Sequence, residues 1–206
     1  MKKIKSIIFD LGGVLLNISY RKTITEFDRL GVKNSSLFYS KRSQKKLFNL
    51  LETGEISEIN FIDAVKKECT NATSNEIRIA WNSMLLDLPQ ERIAVLKNLK
   101  FKYKLYLLSN TNVIHIQAFK DYLGKEKYTE FLNLFDKVYY SHEIGFRKPD
   151  PESFNLILEE NDLIARQVLF IDDSDQHIVG AKNLGIQTHH LTNGQEISNL
   201  FSDIIQ

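Results

Sequence analysis

Four groups of polar side chains have the composition of a site for a metal ion and a phosphate group: Asp10, Ser109 with Asn110, Lys148, and Asp172 with Asp173. Carboxylates that meet in one pocket repel each other and need a cation, and oxygen ligands with room for water suit Mg²⁺. A serine hydroxyl and a lysine ammonium can donate hydrogen bonds to phosphate oxygens. An aspartate held against Mg²⁺ and a phosphoryl group can attack the phosphorus atom. These residue types therefore predict phosphoryl chemistry, provided that the fold brings them together.

The first of these residues, Asp10, ends a short apolar run at 7–9 and precedes the Gly12-Gly13 pair. Such a run is typical of a strand that is buried on both faces of a parallel sheet. Glycine lets the backbone approach a ligand closely because it has no Cβ. Since ligands of open α/β sheets bind at the carboxyl ends of the strands, we expect Asp10 to lie in the site.

Strand and helix patterns alternate in the second half of the chain. Strand patterns at 105–108, 138–140, 168–171 and 188–191 are separated by segments with helical spacing. This alternation predicts an α/β fold with a Rossmann-like, doubly wound parallel sheet. We expect the strand order 5-4-1-2-3. The carboxyl ends of the strands then share one edge, where the four polar groups converge.

Residues 19–86 interrupt this alternation with four helical patterns and no strand pattern. One of the helices is introduced by Thr73 and Glu76, which have the spacing of a capping box. We expect a four-helix cap domain at 19–86 that lies over the carboxyl edge of the sheet. Residues 1–18 and 87–206 would form the α/β core domain.

The overall composition excludes several classes of protein. The 206 residues include 27 Lys and Arg against 26 Asp and Glu, so no basic field points to nucleic acid. Cys69 is the single cysteine, which fits a reducing compartment. No apolar run approaches the roughly 20 residues of a membrane span. We expect a cytoplasmic protein that is a monomer or a weak homodimer, with no nucleic-acid or membrane partner.

The segments FDLGGV, LLSNTN, FRKPD and FIDDS occur in this order and contain all four polar groups. Together they resemble the four motifs of the haloacid dehalogenase superfamily, in its phosphatase branch with a helical cap. The resemblance covers essentially the whole chain. It implies an aspartyl-phosphate mechanism in which Asp10 is the nucleophile and Ser109 and Lys148 bind the phosphate.

The resemblance also implies the ligands of the site. The phosphate-binding positions are Ser109, Asn110, Lys148, Leu11 and Gly12. The Mg²⁺ ligands are Asp10, the carbonyl of Gly12 and Asp173, supported by Asp172. The motifs particularly resemble those of bacterial sugar-phosphate phosphatases, so we expect a small phosphorylated metabolite, a sugar phosphate, as substrate. The Lys148–Pro149 peptide bond is expected to be cis.

Gly12 is the one departure from the family pattern. Most phosphatases of this family have a second Asp at this position, two residues after the nucleophile, as general acid and base. A positioned proton donor contributes about 10²–10⁴-fold to a rate. If the chain has another donor, Glu52 and Glu55 of the helical insertion are the first candidates.

Three further expectations concern the helical insertion and the last motif. The loop Thr53, Gly54 and Glu55 breaks the helices and resembles the specificity loop of the family, so we expect it to contact the substrate. Trp81 has helical spacing and is expected in the apolar interior of the insertion. His177 is expected to be an exposed histidine in the first turn of a helix.

Other functions on the same fold stay open. A dehalogenase needs no metal, and the pair Asp172 and Asp173 argues against it. A phosphomutase must reprotonate its intermediate, which Gly12 makes difficult. A non-catalytic member would bind a phosphorylated ligand or a partner protein without turnover.

Overall fold

A computed structural model describes residues 4–33, 35, 46–192 and 194–202. Five parallel strands form one sheet: β1 Ser6–Phe9, β2 Lys104–Ser109, β3 Lys137–Tyr140, β4 Val168–Asp172 and β5 Gln187–His190. The strand order is β3-β2-β1-β4-β5, which confirms the predicted order read from the other edge. β1 is central, and it pairs with β2 on one side and with β4 on the other.

In the described part of the segment between β1 and β2, four helices come first. These are α1 Tyr20–Arg29, α2 Lys46–Glu52, α3 Glu58–Lys66 and α4 Ser74–Asn82. The predicted capping box is present, because the Thr73 hydroxyl accepts from the Glu76 amide and the Glu76 carboxylate accepts from the Thr73 amide. The apolar faces of these helices pack into a cluster of their own around Trp81, which is 1% exposed. The prediction that Trp81 lies in the apolar interior of the insertion is confirmed.

The remaining helices cover the sheet. They are α5 Gln90–Leu99, α6 Val113–Leu123, α7 Lys125–Leu132, α8 Ser141–Ile144, α9 Pro151–Glu160, α10 Asp175–Asn183 and α11 Ile197–Leu200. Side chains of β1 alternate between the two faces, so Ile7 and Phe9 enter one apolar cluster and Ile8 enters the other. β1 is therefore buried on both sides, as its unbroken apolar run predicts.

The chain enters and leaves the helical segment through two short backbone segments that lie side by side. Ile18 and Leu85 form an isolated antiparallel bridge. Hydrogen bonds on either side join the Asn17 amide to the Asp87 carbonyl and the Ser19 amide to the Met84 carbonyl, each 2.9 Å long. We call these paired crossings, 17–19 and 84–87, the crossover ribbon. It fixes where the helical segment leaves the sheet.

A second junction joins α4 to α6. The Trp81 indole stacks on the His115 imidazole with ring centroids 4.6 Å apart. The Trp81 Nε1 donates to the Asn112 side-chain oxygen over 3.4 Å. Ile114 of α6 belongs to the apolar cluster of the helical segment. These contacts hold the four helices above the carboxyl ends of the strands.

Among the described residues, every helix is too short or too polar to traverse a lipid bilayer.

Candidate active site

Lys148 lies at the centre of the polar groups that the sheet brings together. Its side chain has no exposed surface. The ammonium Nζ lies 2.8 Å from Asp10 Oδ1 and 2.7 Å from Asp172 Oδ2, and it donates to the Leu108 carbonyl over 2.8 Å. A buried ammonium is stable only where its charge is compensated and its protons are bonded. Lys148 therefore neutralises one negative charge of the cluster and fixes the two carboxylates relative to each other.

Asn110 holds the backbone that carries Lys148. Its side-chain amide donates to the Lys148 carbonyl over 2.8 Å, and its side-chain oxygen accepts from the Lys148 amide over 2.9 Å. The Lys148–Pro149 bond is cis, as expected. Asn110 was expected to be a phosphate-binding position, and its side chain is engaged by the Lys148 backbone. A phosphate contact from Asn110 would come from its main-chain amide.

Asp10 directly follows β1 and is almost fully buried. Burial raises the pKa of its carboxyl to about 7, with Lys148 opposing this shift and Asp172 and Asp173 adding to it. The Leu11 amide donates to Asp10 Oδ1 over 2.7 Å, which orients the carboxylate. A cation bound next to this carboxyl would stabilise its ionised form and lower its pKa again.

Asp172 has the opposite electrostatic balance. Burial alone would raise the pKa of this carboxyl, but Lys148 and His177 hold it well below its usual range. Asp172 Oδ1 also accepts from the Ser174 amide over 2.8 Å. Asp172 therefore stays ionised, and its oxygens are engaged by protein donors.

The expectation for His177 was wrong. This histidine is 8% exposed, and its Nδ1 lies 3.0 and 3.1 Å from the two oxygens of Asp172. The reason is the short connection between β4 and α10, which turns the first helical turn back over the end of the strand. His177 thus supports the carboxylate that holds Lys148.

The three carboxylates form a group that can hold a cation. Asp10, Asp172 and Asp173 each offer an oxygen atom, and these atoms lie within 4.8 Å of one another. Gly13 makes room for this arrangement, because a Cβ there would lie 2.7 Å from Asp173 Oδ2, and its φ of +81° suits glycine. Hard oxygen donors of this kind fit Mg²⁺.

A cavity of about 80 Å³ lies in front of Asp10, beneath the helical segment. Its wall at the sheet edge and in the adjoining loops contains Asp10, Leu11, Gly12, Ser109, Asn110, Thr111, Asp173, Ser174 and His177. Its remaining wall is formed by Leu16, Ile18, Tyr20, Met84, Leu85 and His115. Six of the predicted phosphate and metal residues line this cavity, namely Asp10, Leu11, Gly12, Ser109, Asn110 and Asp173, and its opposite wall is largely apolar. Lys148 and Asp172 do not line it and lie behind Asp10, with the Lys148 ammonium bonded to both carboxylates.

Sequence reasoning missed Tyr20 and His115 as residues of this cavity. Burial raises the pKa of the Tyr20 hydroxyl, and the negative charges of Asp173 and Asp10 raise it further, so this hydroxyl stays protonated. Tyr20 is the first residue of α1, immediately after the crossover ribbon. That position beside Asp10 depends on the ribbon, which no local pattern in the sequence specifies.

Thr53, Gly54 and Glu55 do not line this cavity. Gly54 has a φ of +73°, and a Cβ there would collide with the His142 carbonyl oxygen of α8. The Thr53 hydroxyl donates to Glu55 Oε1 over 2.7 Å. The loop therefore packs against the core beside the site, and its contact with substrate stays a prediction.

Comparison with known proteins identifies the family. A family model described as haloacid dehalogenase-like hydrolase matches residues 4–185. The D-ribitol-5-phosphate phosphatase of Bacteroides thetaiotaomicron is 30% identical over 196 residues, which cover 94% of this chain and 94% of that protein.

Two solved structures have the same fold over nearly their whole length. A HAD family enzyme of Bacteroides thetaiotaomicron, in complex with magnesium and inorganic phosphate, has a TM-score of 0.83 and 32% identity, and the match covers 96% of this chain and 99% of that chain. A predicted HAD-like family hydrolase of Porphyromonas gingivalis has a TM-score of 0.85 and 27% identity, covering 98% of both chains. The chain therefore belongs to the haloacid dehalogenase-like hydrolases and is a phosphatase of that family.

Proposed function

We propose that this enzyme hydrolyses a small sugar phosphate or sugar-alcohol phosphate through an aspartyl-phosphate on Asp10. The observation that carries the proposal is the position of Asp10: its Oδ1 lies 2.8 Å from the Lys148 ammonium, within a cluster of three carboxylates. The named substrate of the relative from Bacteroides thetaiotaomicron supports a phosphorylated polyol. The motif resemblance supports a sugar phosphate.

Asp10 supplies the nucleophile. One carboxylate oxygen bonds to phosphorus, and the bond from phosphorus to the ester oxygen breaks. The ester oxygen keeps the electron pair and leaves as the alcohol after taking a proton from water, and the hydroxide so formed takes up the proton that the hydrolytic water releases in the next step. Water then adds to phosphorus, the bond to Asp10 breaks, and the products are inorganic phosphate and the free carboxylate.

The other residues bind and orient the phosphate. Ser109, at the end of β2, would donate its hydroxyl, and Gly12 would donate its main-chain amide, whereas the Leu11 amide already donates to Asp10 Oδ1. Lys148 adds positive charge beside the nucleophile. This charge stabilises the negative charge that develops on the phosphoryl group in the transition state. Asn110 keeps Lys148 in place.

Mg²⁺ would be held by Asp10, Asp173 and the Gly12 carbonyl, with Asp172 supporting them. When bound, it supplies charge stabilisation to the phosphate oxygens and the nucleophile. The raised pKa of Asp10 in the metal-free protein agrees with a site that gains from a cation.

The helical segment 19–86 would act as a cap over the substrate. The cavity of about 80 Å³ is far smaller than the roughly 300–1,000 Å³ of ordinary ligand pockets. A sugar phosphate therefore requires the four helices to move away from the sheet edge before it can enter. The loop formed by Thr53, Gly54 and Glu55 belongs to the helical segment and would move with it. It would therefore meet the substrate during entry.

Phosphate release from a panel of metabolites tests the proposal. The panel should include D-ribitol 5-phosphate, glucose 1-phosphate and glycerol 3-phosphate, each with Mg²⁺ and with a chelator. We expect turnover of at least one compound that requires Mg²⁺ and disappears in Asp10→Asn. Equal turnover by wild type and this variant would exclude Asp10 as the nucleophile.

A further inference from the structure

The space above Gly12 is filled by one side chain. A Cβ built at Gly12 would lie 3.1 Å from Ile18 Cδ1, 3.7 Å from Ile18 Cγ2 and 4.0 Å from Ile18 Cγ1, and these are its three nearest atoms. A contact of 3.1 Å between carbon atoms is shorter than the optimum of about 3.5–4.0 Å. Any side chain at position 12 therefore competes with Ile18.

The backbone at Gly12 does not require glycine. Its neighbour Gly13 has a φ of +81°, in the left-handed region, whereas Gly12 has a φ outside that region. The absence of a side chain thus has a different structural reason at each of the two positions. Gly13 satisfies the turn and leaves room for Asp173, while Gly12 leaves room for Ile18.

The crossover ribbon holds the backbone of Ile18, so the space for a side chain at position 12 can come only from movement of the Ile18 side chain. Ile18 bridges to Leu85, and the hydrogen bonds of Asn17 and Ser19 fix the backbone on both sides of it. Its side chain continues the apolar wall that Met84 and Leu85 form in front of Asp10. The wall that faces the departing group is therefore built on the crossover ribbon.

We propose that Ile18 is a specificity-determining residue, which excludes a proton-donating side chain from position 12 and presents an apolar surface to the leaving group. This inference rests on the proposed phosphatase reaction. The ester oxygen then departs without a proton from position 12. The enzyme favours monophosphates whose leaving oxygen is stable as an anion or receives a proton from a hydroxyl of the substrate itself.

A kinetic comparison of wild type, G12D, I18A and G12D/I18A tests this role. The substrates form a leaving-group series: 4-nitrophenyl phosphate, phenyl phosphate and methyl phosphate, all with Mg²⁺. We expect kcat/KM of the wild type to fall steeply as the leaving-group pKa rises. G12D alone should keep that slope, whereas G12D/I18A should flatten it and raise kcat/KM on methyl phosphate at least 10-fold over wild type.

Two kinetic results would overturn the inference. If G12D flattens the slope as much as G12D/I18A, Ile18 does not close position 12. If neither variant changes the slope, position 12 is not where a proton donor acts. Failure of the proposed function has a different signature, namely hydrolysis of 4-nitrophenyl phosphate that is no faster in wild type than in Asp10→Asn.

Thermal unfolding of the metal-free proteins gives a readout that does not depend on turnover. G12D should lower Tm strongly when Ile18 is present and by at most half as much in the I18A background, because the two side chains compete for one space. L85A is the matched control, since Leu85 lines the same cavity on the other strand of the ribbon. Equal losses from G12D in the wild-type, I18A and L85A backgrounds would refute the steric competition.

Discussion

Glu52 and Arg147 form an ion pair that joins the helical segment to the loop carrying Lys148. Arg147 Nη2 lies 2.8 Å from Glu52 Oε2, and Arg147 Nε donates to the same oxygen over 3.1 Å. The two side chains are only 12% and 16% exposed. Burial raises the pKa of Glu52, and the Arg147 guanidinium opposes this shift. The pair joins the two parts of the molecule that, in the proposed function, separate when a substrate enters.

Glu52→Gln should weaken closure of the helices over the site. Removing one partner of a buried ion pair leaves the other charge uncompensated and costs on the order of 3 kcal/mol. We expect kcat/KM for the best substrate to fall at least 10-fold, mainly through a higher KM, when initial rates are measured. The control is Glu58→Gln, since Glu58 pairs with Arg78 of the same helical segment over 2.6 Å and its side chain is 33% exposed. An unchanged KM in Glu52→Gln would show that this ion pair does not control substrate entry.

Asn110→Ala should reduce catalysis through Lys148. The variant loses both hydrogen bonds that hold the Lys148 backbone, which together contribute about 2 kcal/mol. We expect a roughly 10-fold or larger loss of kcat/KM together with weaker inhibition by inorganic phosphate. Asn161→Ala is a matched control, because Asn161 binds Tyr139 and the Ile157 carbonyl away from the site. Similar losses of activity in both variants would indicate a general effect on folding instead.

Asp173→Asn should remove the response of the protein to Mg²⁺. Asp173 is one of the three clustered carboxylates, and its oxygen is the atom for which Gly13 leaves room. A ligand that binds only the folded state raises Tm. We expect Mg²⁺ to raise Tm of the wild type and of Asp175→Asn, whose exposed carboxyl lies in the first turn of α10. A full Mg²⁺-induced shift of Tm in Asp173→Asn would contradict the ligand assignment.

His115 should make the protein less stable in acid. Its Nε2 donates to the Trp81 carbonyl over 3.2 Å and its Nδ1 accepts from the Asn112 side chain over 3.1 Å, which defines a neutral imidazole. Burial lowers the pKa of His115 to about 4 from 6.5, although the bond to the Trp81 carbonyl opposes this shift. A base whose folded-state pKa is depressed contributes stability that is present above pH 6.5 and is lost as the pH falls towards 4.

The loss should amount to about 3 kcal/mol over that interval. It can be measured by denaturant unfolding from pH 7 to 4, followed by the fluorescence of Trp81, the single tryptophan of the chain. His115→Phe keeps a ring against Trp81 and removes the titration, so its unfolding free energy should depend less on pH than that of the wild type. Parallel pH profiles for the two proteins would mean that His115 does not titrate in this way.

The sequence by itself determined the frame of the site. Apolar runs that end on Asp10, Ser109 and Asp172 predict buried parallel strands, and parallel strands in one sheet must present their carboxyl ends at the same edge. Local signals were sufficient here, because strand patterns depend on neighbouring residues and the order of the motifs can be read directly along the chain. Even the capping box at Thr73 was readable from four residues of sequence.

Only the tertiary structure decided which side chains face each other across that frame. His177 turns inward onto Asp172, Glu52 meets Arg147 from another part of the chain, and Ile18 fills the space that Gly12 leaves open. The His177 contact follows from the short connection between β4 and α10, whereas the other two contacts depend on how the helical segment is placed over the sheet. Local periodicity shows which face of an element is apolar, but it does not encode distances between residues far apart in the chain. Those distances are set when the apolar clusters of the sheet and of the helices pack together at the crossover ribbon.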